Sequence, residues 1–247
     1  NFVVMNETAN ITLAAGALPV MAHAKEEVEE MVTMARALVL NIGTLWPELI
    51  DNMILAGKKA NELSIPIVLD PVGAGATKLR TQSAKDILEE VKIDIVRGNA
   101  AEISILAGLE AEIKGVESIA QSNEPEKIAK EFAAISNSVA CVTGENDFVS
   151  DGNETIKISN GHLALSSITG TGCMATTIAA CFAAIQKNTL QAAAGGLIYF
   201  GIAGEKAASV SDKPGTFHTA LYDAVATIQA DEISSRAKAE ILTKNLA

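Results

Sequence analysis

Short apolar runs alternate with longer amphipathic segments through the first 144 residues of the chain. The runs ALVLNIG, IPIVLDP, IDIVRGN and SVACVTG occupy residues 37–43, 65–71, 93–99 and 138–144, and each ends in Gly, Pro or Asn. Continuously apolar runs of this length, closed by turn residues, are typical of buried strands. The pattern therefore predicts four strands that are covered on both faces.

The segments between these runs carry apolar residues at helical spacing. They are PELIDNMILAGKKANEL, RTQSAKDILEEV and EPEKIAKEFAAI. Strands that alternate with helices form βαβ units, in which the strands lie parallel. No Pro/Ser-rich linker, repeat or low-complexity tract divides the chain. We therefore expect a single α/β domain over residues 1–247, with a mostly parallel central sheet and helices on both faces.

The second half of the chain departs from this alternation in two places. In FVSDGNETIKIS, Asp151-Gly152-Asn153 separates two strand-like runs, which predicts a hairpin. Residues 163–186 carry no charge, but serines, threonines and glycines interrupt the middle of this stretch. The interruption predicts a strand, a turn and a buried helix that starts at Cys173, rather than a membrane span. The remainder of the chain is predicted to be largely helical.

The net charge of the chain argues against some classes of binding partner. The formal net charge is −11 at pH 7, and 49% of the residues are apolar while only 4% are aromatic. A chain this negative repels phosphate backbones and anionic lipid headgroups, so we expect no nucleic acid and no membrane among its partners. An anionic small molecule would need a local site of positive charge or hydrogen-bond donors.

The cysteines and histidines form no local disulfide or metal motif. The odd number of cysteines and their wide spacing favour a reducing, cytoplasmic compartment. No signal peptide is visible, and the chain does not begin with Met, so we expect a native segment before Asn1. The cysteines are Cys141, Cys173 and Cys181, and the histidines are His23, His162 and His218.

Polar and glycine residues follow every predicted strand. In an open parallel sheet, ligands bind beyond the carboxyl ends of the strands. The clustering of amide, carboxylate, guanidinium and hydroxyl groups at these ends predicts a site for an anionic ligand with a metal. The five strand ends are Asn41–Thr44, Asp70–Gly75, Arg97–Glu102, Thr143–Glu145 and Gly170–Cys173.

The Gly170-Thr171-Gly172-Cys173 turn leads into an Ala-rich helix. The free N–H groups and the dipole at a helix N-terminus favour an anion, so this turn is predicted to hold a phosphate. The same dipole predicts a depressed pKa for the Cys173 thiol. Cys141 and Cys181 have apolar neighbours and are predicted to be core residues.

Four side chains at the strand ends each allow a structural and a functional interpretation. Asp70 either caps its loop or points a carboxylate into the crevice. Asn99 and Glu102 have the spacing of a helix capping box, which is compatible with a role beside magnesium and phosphate. Arg97 follows a buried strand, where it either forms a salt bridge or binds a nucleotide phosphate. We favour the phosphate.

Several blocks of the sequence together resemble the hydroxyethylthiazole kinase family. These blocks are PVMAHAKEEVEEM, LVLNIGTL, IVLDPVGAGATKLRT, VRGNAAEI, VTGENDFVSDG, NGH and TGTGCM. The resemblance implies a ribokinase-like three-layer fold and the transfer of the γ-phosphoryl group of ATP, with Mg²⁺, to the primary hydroxyl of 4-methyl-5-(2-hydroxyethyl)thiazole in thiamin biosynthesis or salvage. It also implies a homotrimer with active sites between subunits.

The resemblance also implies roles for individual residues. Cys173, together with the amides of Gly170 and Gly172, would act at the reacting group, and related kinases of this fold have Asp at the position of Cys173. ATP would be bound by Arg97, Thr143 and Asn99, the thiazole by Met21, Gly170 and Asn1, and Mg²⁺ by Asp70 and Glu102.

Three other functions compete with this one. A hydroxymethylpyrimidine kinase of the same fold would be expected to carry Asp in place of Cys173. A sensor protein could keep the nucleotide crevice without turnover, although intact Asp70 and Glu102 argue against it. A Rossmann oxidoreductase is disfavoured because no GxGxxG follows the first strand.

Overall fold

The computed structural model describes residues 1–114 and 124–244. These residues contain a seven-stranded sheet in which the strands lie side by side in chain order. The strands are β1 (Leu38–Asn41), β2 (Ile67–Asp70), β3 (Ile95–Asn99), β4 (Val139–Thr143), β5 (Asp147–Ser150), β6 (Glu154–Ile158) and β7 (Ala239–Lys244).

The first four strands are parallel, and all four were predicted from the apolar runs. Asn41 pairs with Asp70 in the β1–β2 register, and Asn99 pairs with Thr143 in the β3–β4 register. The polar residues that close these strands therefore lie at one edge of the sheet. The predicted hairpin is confirmed, since β5 and β6 are antiparallel around residues 151–153.

The sheet is mixed, because β5, β6 and β7 run antiparallel to their neighbours. β7 lies near the end of the chain, within the stretch that was predicted to be helical. The stretch is largely helical, as predicted, but the sequence pattern did not reveal this strand. Residues Ala239–Lys244 form an edge strand on β6, and an edge strand draws its stability from a partner that is distant in sequence.

Helices cover both faces of the sheet. Val68 and Ile95 point into one buried cluster and Leu69 and Val96 into another, as strand alternation requires. The predicted three-layer α/β architecture is thus confirmed. The helices of the described residues are α1 (Met5–Ala14), α2 (Val28–Met34), α3 (Pro47–Leu63), α4 (Lys78–Glu90), α5 (Ala100–Lys114), α6 (Pro125–Ser136), α7 (Thr171–Ala183), α8 (Thr189–Val210), α9 (Pro214–Thr227) and α10 (Ala230–Arg236).

The strand predicted before Gly170 is wrong, because Leu163–Ser167 forms a 3₁₀ helix. Ser166 and Ser167 donate their hydroxyls to backbone carbonyls three residues earlier, a local bonding pattern that competes with a sheet ladder. The following helix, α7, begins at Thr171 rather than Cys173. Within residues 1–114 and 124–244, none of the helices has both the length and the apolarity needed to cross a bilayer.

Candidate active site

The carboxyl ends of β1 to β4 meet the N-terminus of α7 at one edge of the sheet. Helix α7 packs against β1 and β2, which places its first turn over Asn41 and Asp70. The structure therefore brings together most of the residues that the sequence singled out. Their chemical roles stay predictions that the geometry constrains.

Arg97 is the cation of this site. Its Nη2 donates to Thr143 Oγ1 at 2.5 Å, while its buried Nε has no hydrogen-bond partner. Among the described residues, no carboxylate lies within ion-pair distance of the guanidinium, so the alternative that Arg97 forms a salt bridge is not supported. Arg97 is partly buried, and removing a cation from water without a paired anion costs free energy unless a ligand supplies the opposite charge.

The guanidinium of Arg97 lies directly against the first turn of α7. A Cβ atom added to Gly172 would lie 2.6 Å from Arg97 Nη1, so a larger residue at this position would displace the guanidinium. The first turn of an α-helix leaves its N–H groups without intrahelical acceptors. Arg97 and the α7 N-terminus thus present two sources of positive potential to the same space, which suits a phosphate.

Gly170 is the N-cap of α7 and has a φ of 87°, in the left-handed region. This conformation strains any residue with a side chain, and a Cβ atom here would also lie 2.8 Å from Val4 Cγ1. Val4 precedes α1, so the N-terminal segment packs on the turn. Asn1 lies beside the site as well, with its Nδ2 3.8 Å from the sulfur of Cys173.

The Cys173 thiol is buried, with 8% of the residue exposed. Its Sγ accepts a hydrogen bond from Asn41 Nδ2 at 3.1 Å. Burial, followed by the negative charge of Asp70, raises the pKa of Cys173 to about 12. The depressed pKa predicted from the helix dipole is therefore wrong, because desolvation and the adjacent carboxylate outweigh the dipole. The thiol is protonated at neutral pH.

Asp70 closes β2 and is 1% exposed. Its Oδ2 accepts from Asn41 Nδ2 at 3.1 Å and from Thr176 Oγ1 at 2.9 Å. Burial raises the pKa of Asp70, although the charge of Arg97 and the bond from Thr176 oppose that rise. Thr176 was not predicted as a site residue, because it lies on an otherwise apolar face of α7 and belongs to no recognisable motif.

The predicted capping box at the start of α5 is confirmed. Asn99 N donates to Glu102 Oε2 and Glu102 N donates to Asn99 Oδ1, both at 2.9 Å. The other carboxylate oxygen of Glu102 accepts from Gly73 N at 2.7 Å, which ties the loop after β2 to α5. The capping side chain of Glu102 therefore also fixes the loop that follows Asp70.

The carboxylates of Asp70 and Glu102 fit a magnesium ion by donor chemistry. Both are hard oxygen ligands at the same edge of the sheet, and the charge of Glu102 contributes to the raised pKa of Asp70. In the described part of the chain, no group of three or more His, Cys, Asp or Glu side chains forms a complete metal cage. Magnesium bound by one or two carboxylates completes its shell with water and phosphate oxygens.

Met21 differs from the other predicted residues. It lies on the irregular segment before α2 and is 41% exposed. Neighbouring apolar side chains on this segment are also exposed, at 89% for Leu18 and 63% for Val20. The prediction that Met21 completes a thiazole pocket on another subunit stays a prediction.

Comparison with known proteins identifies relatives along nearly the whole chain. Residues 1–231 match the sequence model of the Hydroxyethylthiazole kinase family. A hydroxyethylthiazole kinase from Chloroflexus aggregans is 52% identical over 238 residues, which are 96% of this chain and 86% of the relative. One from Methanosarcina mazei is 50% identical over 242 residues, covering 98% of this chain and 93% of the relative.

Solved structures agree with the sequence relatives. The structure of a hydroxyethylthiazole kinase protein from Pyrococcus horikoshii OT3 matches with a TM-score of 0.90 at 45% identity, covering 98% of this chain and 91% of that one. Pyridoxal kinase from Bacillus subtilis matches with a TM-score of 0.57 at 14% identity, over 81% of this chain and 84% of that one. This second likeness shows a shared fold alone.

The raised pKa of Asp147, near Thr143, can be tested through the pH dependence of the protein's stability. Burial raises its pKa to about 6, although Gly144 N donates to its Oδ1 at 3.0 Å. The folded protein thus holds this proton up to about pH 6, whereas the unfolded chain releases it near pH 4, so stability falls as pH rises through this window. The wild type should therefore lose unfolding free energy between pH 4 and pH 7. Asp147→Asn, which has no proton to release, should lose about 1–3 kcal/mol less over the same range.

Urea unfolding at pH 4 and pH 7 measures this difference. Asp212→Asn is the matched control, because Asp212 lies in an exposed pair with Lys213, and its substitution should change the difference by less than about 0.5 kcal/mol. Equal pH dependence in the wild type and in Asp147→Asn would contradict the prediction.

Proposed function

The chain belongs to the hydroxyethylthiazole kinase family, and from that premise we propose that it transfers the γ-phosphoryl group of ATP, with Mg²⁺, to the primary hydroxyl of 4-methyl-5-(2-hydroxyethyl)thiazole. The observation that carries the proposal is the guanidinium of Arg97, which lies against the N-terminus of α7 and has no carboxylate partner within the described part of the chain. This arrangement supplies positive potential where a phosphoryl group needs it.

The nucleotide side of the site is formed by β3 and β4. Arg97 would bind phosphate oxygens, and Thr143 holds the guanidinium in place through its hydroxyl. Asn99 contributes mainly by capping α5, since its side-chain oxygen is bonded to Glu102 N. Phosphoryl transfer depends on positioning and charge neutralisation more than on covalent chemistry, and a preorganised cation serves both.

Asp70 and Glu102 would hold Mg²⁺ beside the phosphates, in part through water. Bound there, the ion would neutralise charge on the transferring group. The protein's own contribution is to keep both carboxylates fixed before the ion arrives. Asn41 and Thr176 bond to Asp70, and two backbone N–H groups bond to Glu102.

The acceptor side of the site is centred on Cys173. Because its thiol is protonated at neutral pH, Cys173 contacts and orients the substrate hydroxyl rather than acting as a thiolate base. The loose transition state of phosphoryl transfer makes strong deprotonation of the alcohol unnecessary. The amides of Gly170 and Gly172 would stabilise the group in transit.

The remainder of the pocket would come from a neighbouring subunit. We expect a homotrimer in which the exposed Met21 reaches the thiazole bound by an adjacent chain, with Asn1 on the near side. The three cysteines, none of which is in a disulfide, suit a cytoplasmic enzyme of thiamin biosynthesis or salvage.

The activity is tested by ATP-dependent phosphorylation of the hydroxyethylthiazole, run beside hydroxymethylpyrimidine under the same conditions. We expect kcat/KM for the thiazole to exceed that for the pyrimidine by about a hundredfold or more, since a site discriminates strongly when its polar groups lose their partners. Removal of Mg²⁺ with EDTA should abolish turnover. Preferential phosphorylation of the pyrimidine would overturn the proposed substrate.

Replacement of Cys173 tests its role as an orienting group. Cys173→Ser keeps a small hydrogen-bonding side chain and should lower kcat by less than about tenfold, with KM for ATP unchanged, because the positioning and the neutralising charges remain. Steady-state kinetics with both substrates measure this. A loss of about four orders of magnitude in Cys173→Ser would instead mean that the thiolate is an obligatory base.

A further inference from the structure

Asn41 closes β1, and the proposed function uses only its hydrogen bond to Asp70. Its Nδ2 donates to Asp70 Oδ2 and to Cys173 Sγ, both at 3.1 Å, while its Oδ1 accepts from Gly43 N at 2.9 Å. Gly43 N can only donate, so the carbonyl end of the Asn41 amide must face it. The NH₂ end is thereby directed at the carboxylate and the thiol.

The turn that orients Asn41 is itself fixed by an arginine. Arg80, on α4, donates its Nη2 to Gly43 O at 2.8 Å. Its Nη1 donates to Ile42 O at 3.1 Å and to Val72 O at 2.7 Å. One guanidinium thus joins the loops after β1 and β2, and Asn41 is held in a rigid backbone setting.

We propose that Asn41 is a positioning residue for phosphoryl transfer, one amide that fixes Cys173 and Asp70 relative to each other. The inference rests on the proposed function, in which Cys173 orients the acceptor hydroxyl and Asp70 serves the phosphate side. The two groups come from α7 and β2, 103 residues apart, and they share the NH₂ of Asn41 as a common donor. Misplacement of a reacting group by about 1 Å can cost a hundredfold in rate.

A purely structural role for Asn41 predicts a different outcome from a positioning role. Asn41→Asp retains an oxygen for Gly43 N and nearly the same volume, so the turn can survive. It replaces the NH₂ donor with an oxygen facing Asp70 and Cys173, so the shared contact is lost. The substitution therefore separates the cap on Gly43 from the link between the two site residues.

The test compares steady-state kinetics of the full-length wild type, Asn41→Asp and Asn41→Ala. Both variants should lower kcat by at least about tenfold while KM for ATP changes by less than about threefold, because Arg97 and Thr143 are untouched. Asn41→Ala removes the donors without adding a charge, and it serves if the Asp variant fails to fold. A kcat within twofold of wild type in a folded Asn41→Ala protein would overturn the proposal.

Asn61→Asp is the matched control. Asn61 also uses both ends of its amide, donating to Lys92 O and accepting from Lys92 N, each at 2.8 Å, at the opposite end of the parallel strands. The same chemical change there should leave kcat and KM within about twofold of wild type. An equal loss of kcat in Asn61→Asp would show that the effect is general destabilisation and would overturn the positioning role.

Alkylation of Cys173 by iodoacetamide, followed by mass spectrometry at one fixed pH, tests the contact without turnover. Asn41→Ala should speed alkylation of Cys173 by about threefold or more, because the side chain that lies 3.1 Å from the sulfur is removed and the reagent gains access, while Cys181 in the same protein reports any general opening. An unchanged rate would overturn the contact. If the wild type fails to phosphorylate the thiazole, the proposed function fails and this measurement still decides the placement of Asn41.

Discussion

The site depends on one electrostatic constraint, a partly buried arginine that no described carboxylate approaches within ion-pair distance. Arg97 donates to the neutral hydroxyl of Thr143, and its Nε has no hydrogen-bond partner among the residues that the structure describes. Gly172 has no side chain, and the guanidinium therefore lies close against the first turn of α7. Burial makes such a charge costly, and a bound phosphate would offset that cost. The other polar side chains of the site, Asp70 and Glu102, are held near Arg97 by hydrogen bonds within the protein.

The acidic and thiol groups are arranged to complement that cation. Asp70 lies within the electrostatic reach of Arg97, and Cys173 lies beside Asp70, so the three titratable groups influence one another. Neutral donors from Asn41 and Thr176 hold the carboxylate without cancelling its charge. In the proposed function, this carboxylate is available to a metal ion, and the protonated thiol contacts the substrate hydroxyl. Positioning of this kind suits a reaction whose transition state is loose.

The sequence predicted those features whose causes are local. The apolar runs fixed four parallel strands and therefore the edge where Asp70 and Arg97 lie, and the spacing of Asn99 and Glu102 fixed a capping box. Predictions failed where distant residues decide the outcome. Burial in the folded protein, followed by the charge of Asp70, which is remote in the chain, raises the pKa of Cys173. The strand Ala239–Lys244 exists because β6 offers an edge. The link from Asn41 to Cys173 likewise forms only when β1 and α7 pack together.

A crystal structure of the protein with Mg²⁺ and a non-hydrolysable ATP analogue tests the proposed phosphate site most directly. We expect the phosphates to lie between Arg97 and the N–H groups of Thr171, Gly172 and Cys173. Phosphates bound instead at the opposite edge of the sheet, in the crevice lined by Lys92, Asn137 and Asp151, would contradict this expectation.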